Sequence, residues 1–235
     1  MLFTVKPLNF DRQMAYLYKH RYNVISLADL IGRLRKREAL PDRTVCLTFD
    51  DGFADNYFNV LPVLKKYNFP ATIFLLTGYM GKELDNSQKF PIAIMSEAQA
   101  KEMANSGLIE FGSHTDTHSR LEAISNEDFT KELETSRIKI ERITGNEWRF
   151  FAYPRGFFRK DIIGILKSRN IEAALTVQEG LIGKDDDVFL LKRNFINRET
   201  GLAQFYAKIS PVIDWYVRLK LIFSANKDAF KNISD

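Results

Sequence analysis

The chain is poor in residues that staple or anchor a protein. Of its 235 residues one is cysteine, Cys46, so no disulfide framework can form within it and no oxidising compartment is required. Histidine occurs three times, at His20, His114 and His118, so any imidazole chemistry must draw on these. No apolar run reaches the ~18 residues that a membrane span needs. Met1 to Pro7 lacks the apolar core of a signal peptide. The expectation is a cytoplasmic protein, or one whose targeting segment lies upstream. The net charge of +4 is too small to point to nucleic acid. Apolar residues are plentiful at 45%, enough for the core of one α/β domain of roughly 250 residues.

Strand-like and helix-like runs alternate almost throughout. The spacing predicts helices over Asn9 to His20, Leu27 to Arg37, Asp55 to Tyr67, Asn126 to Thr144 and Lys160 to Ser168. Another helix opens at Ser96, with Gln99 as its capping-box partner, and ends near Gly107. Strands fit Asn23 to Ile25, Thr44 to Phe49, Ala71 to Thr77, Leu108 to Gly112, Trp148 to Tyr153, Ile171 to Val177 and Val188 to Ile196. The strands are nearly continuous apolar runs, as in parallel sheets covered on both faces. The alternation argues for βαβ units, and seven strands suggest a barrel with its chemistry at the strands' C-terminal ends. Gly78 to Met95 is a long connection suited to a substrate lid. No linker divides residues 1–200, expected as one barrel domain. Residues 201–235 read as an amphipathic helix with a basic tail, expected to dock on that domain. The alternative for this helix is contact with a membrane surface or a partner.

Two motifs sit at predicted strand ends. Val45-Cys46-Leu47 runs into Thr48-Phe49-Asp50-Asp51-Gly52. Adjacent carboxylates at the end of a buried strand are costly unless their charge is used. Leu108 to Phe111 runs into Gly112-Ser113-His114-Thr115-Asp116-Thr117-His118. One helical turn would put the two histidines on one face, suited to a shared metal. Asp51, His114 and His118 make a three-ligand site with a position open for water. Asp50 is placed to take that water's proton, a pattern of metal-assisted hydrolysis. The plainer alternatives are a helix-capping turn for the aspartates and surface histidines for the pair.

These residues resemble the polysaccharide deacetylases, carbohydrate esterase family four. That family's Thr-Phe-Asp-Asp-Gly motif is matched by Thr48 to Gly52, and its His-Ser/Thr-x-x-His motif by His114 to His118. Phe151-Ala152-Tyr153-Pro154-Arg155-Gly156 is similar to the Phe-x-Tyr-Pro-Tyr-Gly of one branch. Pro70 to Phe74 and Leu191-Lys192-Arg193 are similar to the same branch. The resemblance spans roughly Asn9 to Arg198. It implies a distorted (β/α)7 barrel, a divalent metal, and removal of acetyl groups from an N-acetylated amino-sugar glycan. It implies Asp50 as general base and Asp51, His114 and His118 as ligands, with zinc the default ion and cobalt, nickel or manganese alternatives. The Arg155 backbone N–H stands where the family places an oxyanion donor. Tyr153, Pro154 and Gly156 become candidates for substrate contact.

Two departures stand out. Ala152 occupies the place of an arginine that orients the base in many members, and Arg193 is the candidate to supply that charge. The family's general-acid histidine has no counterpart after His118. In the branch this chain resembles, that histidine lies on a strand ahead of the helix Asn9 to His20, about where the chain begins. The expectation is therefore a barrel short of its N-terminal strand, open beside Asn23 to Ile25, with weak or no turnover. His20 reads as a helix-end residue, Cys46 as core, and Asp116 as solvated or capping. The rival functions are a carbohydrate-binding relative without activity, and a hydrolase of the same fold acting on a non-sugar amide or an O-acetyl ester.

Overall fold

A computed structural model of the chain describes residues 5–84 and 91–219. Helix α1 (Pro7–Lys19) starts with proline at its first turn, where no N–H is missed, and buries Phe10, Met14 and Leu17 along one stripe. Strand β1 (Asn23–Ile25) leads into α2 (Leu27–Arg35), whose cap is Ser26 Oγ accepting from the Asp29 N–H. The predicted strand Thr44 to Phe49 is two pieces, β2 (Thr44–Cys46) and β3 (Thr48–Phe49). The chain changes partner between them: β2 pairs with β1, β3 pairs with β4 (Ala71–Leu75), and the Leu47 carbonyl accepts from Thr72 N–H at 3.0 Å.

The main sheet has order β3-β4-β7-β8-β9, all parallel, with β7 Ile109–Ser113, β8 Phe150–Ala152 and β9 Ala173–Leu175. With β1 and β2 it curls into a half-barrel of the expected α/β type, and β1 is an edge strand among the described residues. A small antiparallel pair not anticipated from the sequence, β5 (Glu83–Leu84) and β6 (Ile92–Ala93), lies in the long connection. The middle of the lid proposed there, residues 85–90, lies outside the described residues.

Helices follow the strands in turn. A wide turn over Asn56–Val60 precedes α3 (Leu61–Tyr67). Helix α4 (Glu97–Asn105) carries the predicted capping box, with both Ser96–Gln99 bonds made. Helix α5 (Asn126–Thr144) runs between the Ser125 cap and left-handed Gly145, and α6 is Lys160–Ser168. One face of the sheet, with Ile73, Leu75, Ile109, Phe111 and Phe151, packs on Leu64, Met103, Phe129, Leu133 and Leu166 from α3 to α6. The other face, with Phe74, Phe150, Ala152 and Leu175, packs on Leu27, Leu30, Ile31 and Leu34 of α2. Each such leucine or isoleucine contributes about 1.5–3 kcal/mol on burial.

Two expectations need correction. Residues 188–196 do not form a strand; a single bridge, Leu175 to Leu191, joins them to β9. Val188, Leu191 and Arg193 make main-chain bonds to residues 174–178, but a turn at Asp187, where Leu190 N–H reaches the Asp187 carbonyl, interrupts the extended run. The C-terminal amphipathic segment is not one helix. Helix α7 (Leu202–Lys208) stops, and residues 212–219 form another after Pro211, whose ring cannot continue the first. Phe205 and Ile213 are buried there, while Tyr206, Trp215 and Tyr216 are exposed. Residues 220–235, with the basic tail, lie outside the described residues. Among the described residues no helix is long and apolar enough to cross a membrane.

Gly112 marks where the sheet is tightest. It stands opposite Phe74 in register, and a Cβ there would meet the Phe74 ring at 2.6 Å and the Phe150 carbonyl at 2.7 Å. The Phe150 carbonyl is backbone and cannot swing aside, and the Phe74 ring is fully buried. Gly112→Ala is expected to lower unfolding free energy by about 1–3 kcal/mol in a denaturant titration. An unchanged midpoint would contradict this packing.

Candidate metal and hydrolase site

Four predicted residues meet at the C-terminal ends of β3 and β7. Asp50 and Asp51 follow Phe49 in a tight turn: Gly52 N–H reaches the Asp50 carbonyl at 2.9 Å, and Asp51 and Gly52 are left-handed at φ 67 and 70. Aspartate tolerates that conformation better than most residues. Gly52 is needed there, since a Cβ would meet Leu75 at 2.6 Å. His114 continues β7, donates its N–H to the Leu75 carbonyl at 3.0 Å, and is buried.

The His114 ring is pinned by a 2.8 Å contact from Nδ1 to the Ala152 carbonyl. A carbonyl only accepts, so Nδ1 carries the proton and Nε2 keeps its lone pair. That Nε2 lies 3.7 Å from Asp51 Oδ1, and His118 Nε2 lies 4.0 Å from the same oxygen. The donor atoms of Asp51, His114 and His118 all fall within 4.8 Å of one another. Ligands held about 2 Å from a divalent cation stand roughly 3–4 Å apart, the spacing that the two Asp51–histidine separations show. The histidines do not converge through a helical turn. They flank an irregular loop in which Thr115 and His118 are left-handed at φ 70 and 60. Non-glycine residues in that region cost on the order of 1–3 kcal/mol each, so the surroundings must hold the loop.

The two aspartates have opposite environments. Arg193 grips Asp50 with both arms, Nη1 to Oδ1 at 2.6 Å and Nη2 to Oδ2 at 2.8 Å, while its Nε donates to the Thr176 carbonyl at 2.8 Å. Burial is the largest single influence and opposes ionisation of Asp50, but the Arg193 charge and hydrogen bonds, together with the two histidines, outweigh it, and the carboxyl falls to about 2. Asp51 has no such partner, and burial raises its pKa. His118 is lowered to about 4, first by burial and then by unfavourable electrostatics with His114 and Arg155. A neutral imidazole and a carboxylate short of positive charge are what a cation site presents.

The remaining candidates divide. Arg155 is exposed and left-handed at φ 58, close enough for its charge to act on His118. Gly156 is also left-handed, with Val177 packed where a side chain would sit. Tyr153 is fully buried, its hydroxyl donating to the Phe189 carbonyl at 3.0 Å and its ring against Phe151 and Phe158. Pro154 is buried as well. Neither presents a surface to a sugar, so both leave the substrate-contacting set and serve the core. His20 is exposed, its ring tilted against Tyr16 with centroids 4.2 Å apart, and outside the cluster of Asp51, His114 and His118. Asp116 is ion-paired with Lys139 at 2.7 Å. Sequence reasoning missed Glu132, Ser136 and Lys139 of α5, which touch the histidine loop or the strand end that feeds it. Their only signal was three polar residues on the side of a helix that also buries Leu133 and Ile140.

The chain belongs to the polysaccharide deacetylase family, whose profile matches residues 37–174. A poly-beta-1,6-N-acetyl-D-glucosamine N-deacetylase of Staphylococcus epidermidis is 29% identical over 205 residues, covering 84% of this chain and 69% of that protein. The Streptococcus pyogenes deacetylase PplD, solved in complex with acetate, superposes with a TM-score of 0.78 at 26% identity, covering 88% of each chain. BC0361, a polysaccharide deacetylase from Bacillus cereus, superposes with a TM-score of 0.72 at 29% identity, over 88% of this chain and 62% of that one.

The Asp50–Arg193 pair sets a titration. A carboxyl depressed by its partner is stabilising above its ordinary pKa, and that contribution is lost as pH falls through about 2. In Arg193→Met the Asp50 pKa should rise above about 2, since burial is then less opposed. Carboxyl carbon NMR of the metal-free protein reads this; an unmoved pKa would mean the ion pair does not control Asp50.

Proposed function

We infer that this chain is a metal-dependent hydrolase that removes N-acetyl groups from an amino-sugar glycan. The observation that supports it most is the convergence of Asp51, His114 and His118 with a carboxylate, Asp50, that Arg193 holds beside them. In this reading Asp51 Oδ1, His114 Nε2 and His118 Nε2 hold one divalent ion, zinc by the chemistry of an Asp-His-His donor set. When bound, such an ion supplies a Lewis acid that acidifies water and polarises an acyl oxygen.

Asp50 is the general base. Arg193 fixes both of its oxygens, which orients it and keeps it ionised at any working pH, at the expense of basicity. The Arg155 N–H, on a strained left-handed residue at the rim, is the proposed donor to the oxyanion of the tetrahedral intermediate. Gly156 gives that segment its close approach to Val177. The catalytic unit is residues 1–200, with residues 201–235 as an appendage to it. Expelling an amine needs a proton, and the third histidine, His20, packs against Tyr16 instead of joining the cluster. That observation favours, as a second reading, a relative that binds glycan with little turnover.

Turnover of N-acetylglucosamine oligomers with added zinc separates the readings. Asp50→Asn is expected to keep the metal and to lower hydrolysis by about 10²–10⁴-fold. Loss of the metal in Asp50→Asn but not in Asp51→Asn would mean the two aspartates have exchanged roles.

A further inference from the structure

The loop between the two histidines is gripped by one polar stripe of α5. Glu132, Ser136 and Lys139 recur at i, i+4 and i+7, so they share a face of the helix. Glu132 Oε2 accepts from the backbone N–H groups of Asp116 and Thr117 at 2.9 and 2.8 Å, and Oε1 accepts from the Thr117 hydroxyl at 2.7 Å. Lys139 Nζ donates to Asp116 Oδ1 at 2.7 Å, and the Thr77 hydroxyl donates to the same oxygen at 2.6 Å. Ser136 Oγ donates to Ser113 Oγ at 2.7 Å, which accepts in turn from Thr115 N–H at 3.0 Å.

The loop needs this restraint. Thr115 and His118 are non-glycine residues with left-handed backbones, and the buried Thr115 hydroxyl has no hydrogen-bond partner among the described residues. Such conformations persist only where the surroundings over-determine them. His114 is tied independently, through Leu75 and Ala152. Among the described residues the His118 ring has no hydrogen bond of this kind, only the 4.0 Å approach to Asp51 and the neighbouring His114 ring, so its placement depends on residues 115–117. Among the described residues Glu132 pairs with no lysine or arginine; its carboxylate is taken up by the loop.

We propose that Glu132 and Lys139, supported by Ser136, are positioning residues that set the affinity of the metal centre by fixing where His118 presents its ring. The proposal rests on reading Asp51, His114 and His118 as a metal site. Its consequence is that metal affinity is written partly on a helix that carries no ligand.

The test titrates metal-free protein with Co²⁺ and follows the visible absorption of the ligated ion. The set is wild type, Glu132→Ala, Glu132→Gln, Lys139→Met, the Glu132→Ala/Lys139→Met double variant, and Glu134→Gln as a control on the same helix. Glu134 pairs with Arg137 and Arg169 and touches nothing in the loop. Glu132→Ala and Lys139→Met should each weaken Co²⁺ binding by about 10–100-fold and change the shape of the absorption band. The double variant should lose less than the product of the two, since both act on one loop. Glu132→Gln, which keeps an acceptor, should recover part of the loss, and Glu134→Gln should match wild type. Wild-type affinity and band shape in Glu132→Ala and Lys139→Met would overturn the proposal alone, even with a lowered melting temperature of the metal-free variants. Failure of the wild-type protein to take up Co²⁺ would overturn the metal reading and the proposal with it.

Discussion

The contact of His114 Nδ1 with the Ala152 carbonyl, 2.8 Å long, is the bond on which the site depends. It joins the end of β7 to the end of β8 and uses a main-chain acceptor, so its position is fixed by the sheet. By consuming Nδ1 it settles the tautomer and turns the Nε2 lone pair toward Asp51. Close approach of the strands makes this contact available. Gly112, two residues before His114, lets Phe74 and the Phe150 carbonyl come within reach of its Cα. The fold reaches the chemistry through the spacing of adjacent strands, and only then through side chains.

Two neighbouring carboxylates meet different surroundings. Asp50 faces Arg193 and stays ionised; Asp51 is half-buried without an arginine or lysine ion pair among the described residues, and burial raises its pKa. Titratable pairs whose environments push them apart are how a site divides its labour. Arg193 comes from a segment that pairs with the sheet at one bridge; its backbone N–H donates to the Gln178 carbonyl, and its side chain is aimed by the bonds to Asp50 and the Thr176 carbonyl. Sequence reasoning picked Arg193 as the replacement for the arginine missing at Ala152, and the geometry brings it to the aspartate.

Much of this was legible in the sequence where a local rule decides. Helix α5 was bounded correctly because Ser125 caps one end and Gly145 closes the other. The capping box at Ser96 and Gln99 was readable for the same reason. What stayed hidden depends on long-range partners. Periodicity tells that α2 has an apolar stripe, not that the stripe lies on the sheet face opposite to α3–α6. Val188 to Ile196 looks like a strand, but its main-chain bonds to residues 174–178 come from Val188, Leu191 and Arg193 alone, and only Leu191 completes a bridge. Tyr153 sits in the third motif and suggests a sugar platform, yet its hydroxyl finds the Phe189 carbonyl and the ring is enclosed. The histidine spacing suggested a helical turn because four residues make one. A loop of two left-handed residues reaches the same convergence by a route that spacing cannot reveal.

The central claim is that Asp51, His114 and His118 form one metal centre with Asp50 beside it as a non-ligand. Anomalous diffraction at the zinc edge from crystals of zinc-loaded protein tests it most directly. The account predicts a single strong peak about 2 Å from one oxygen of Asp51 and from Nε2 of His114 and His118, with Asp50 still paired to Arg193. A peak ligated by Asp50 in place of Asp51, or no peak between the two histidines, would contradict it.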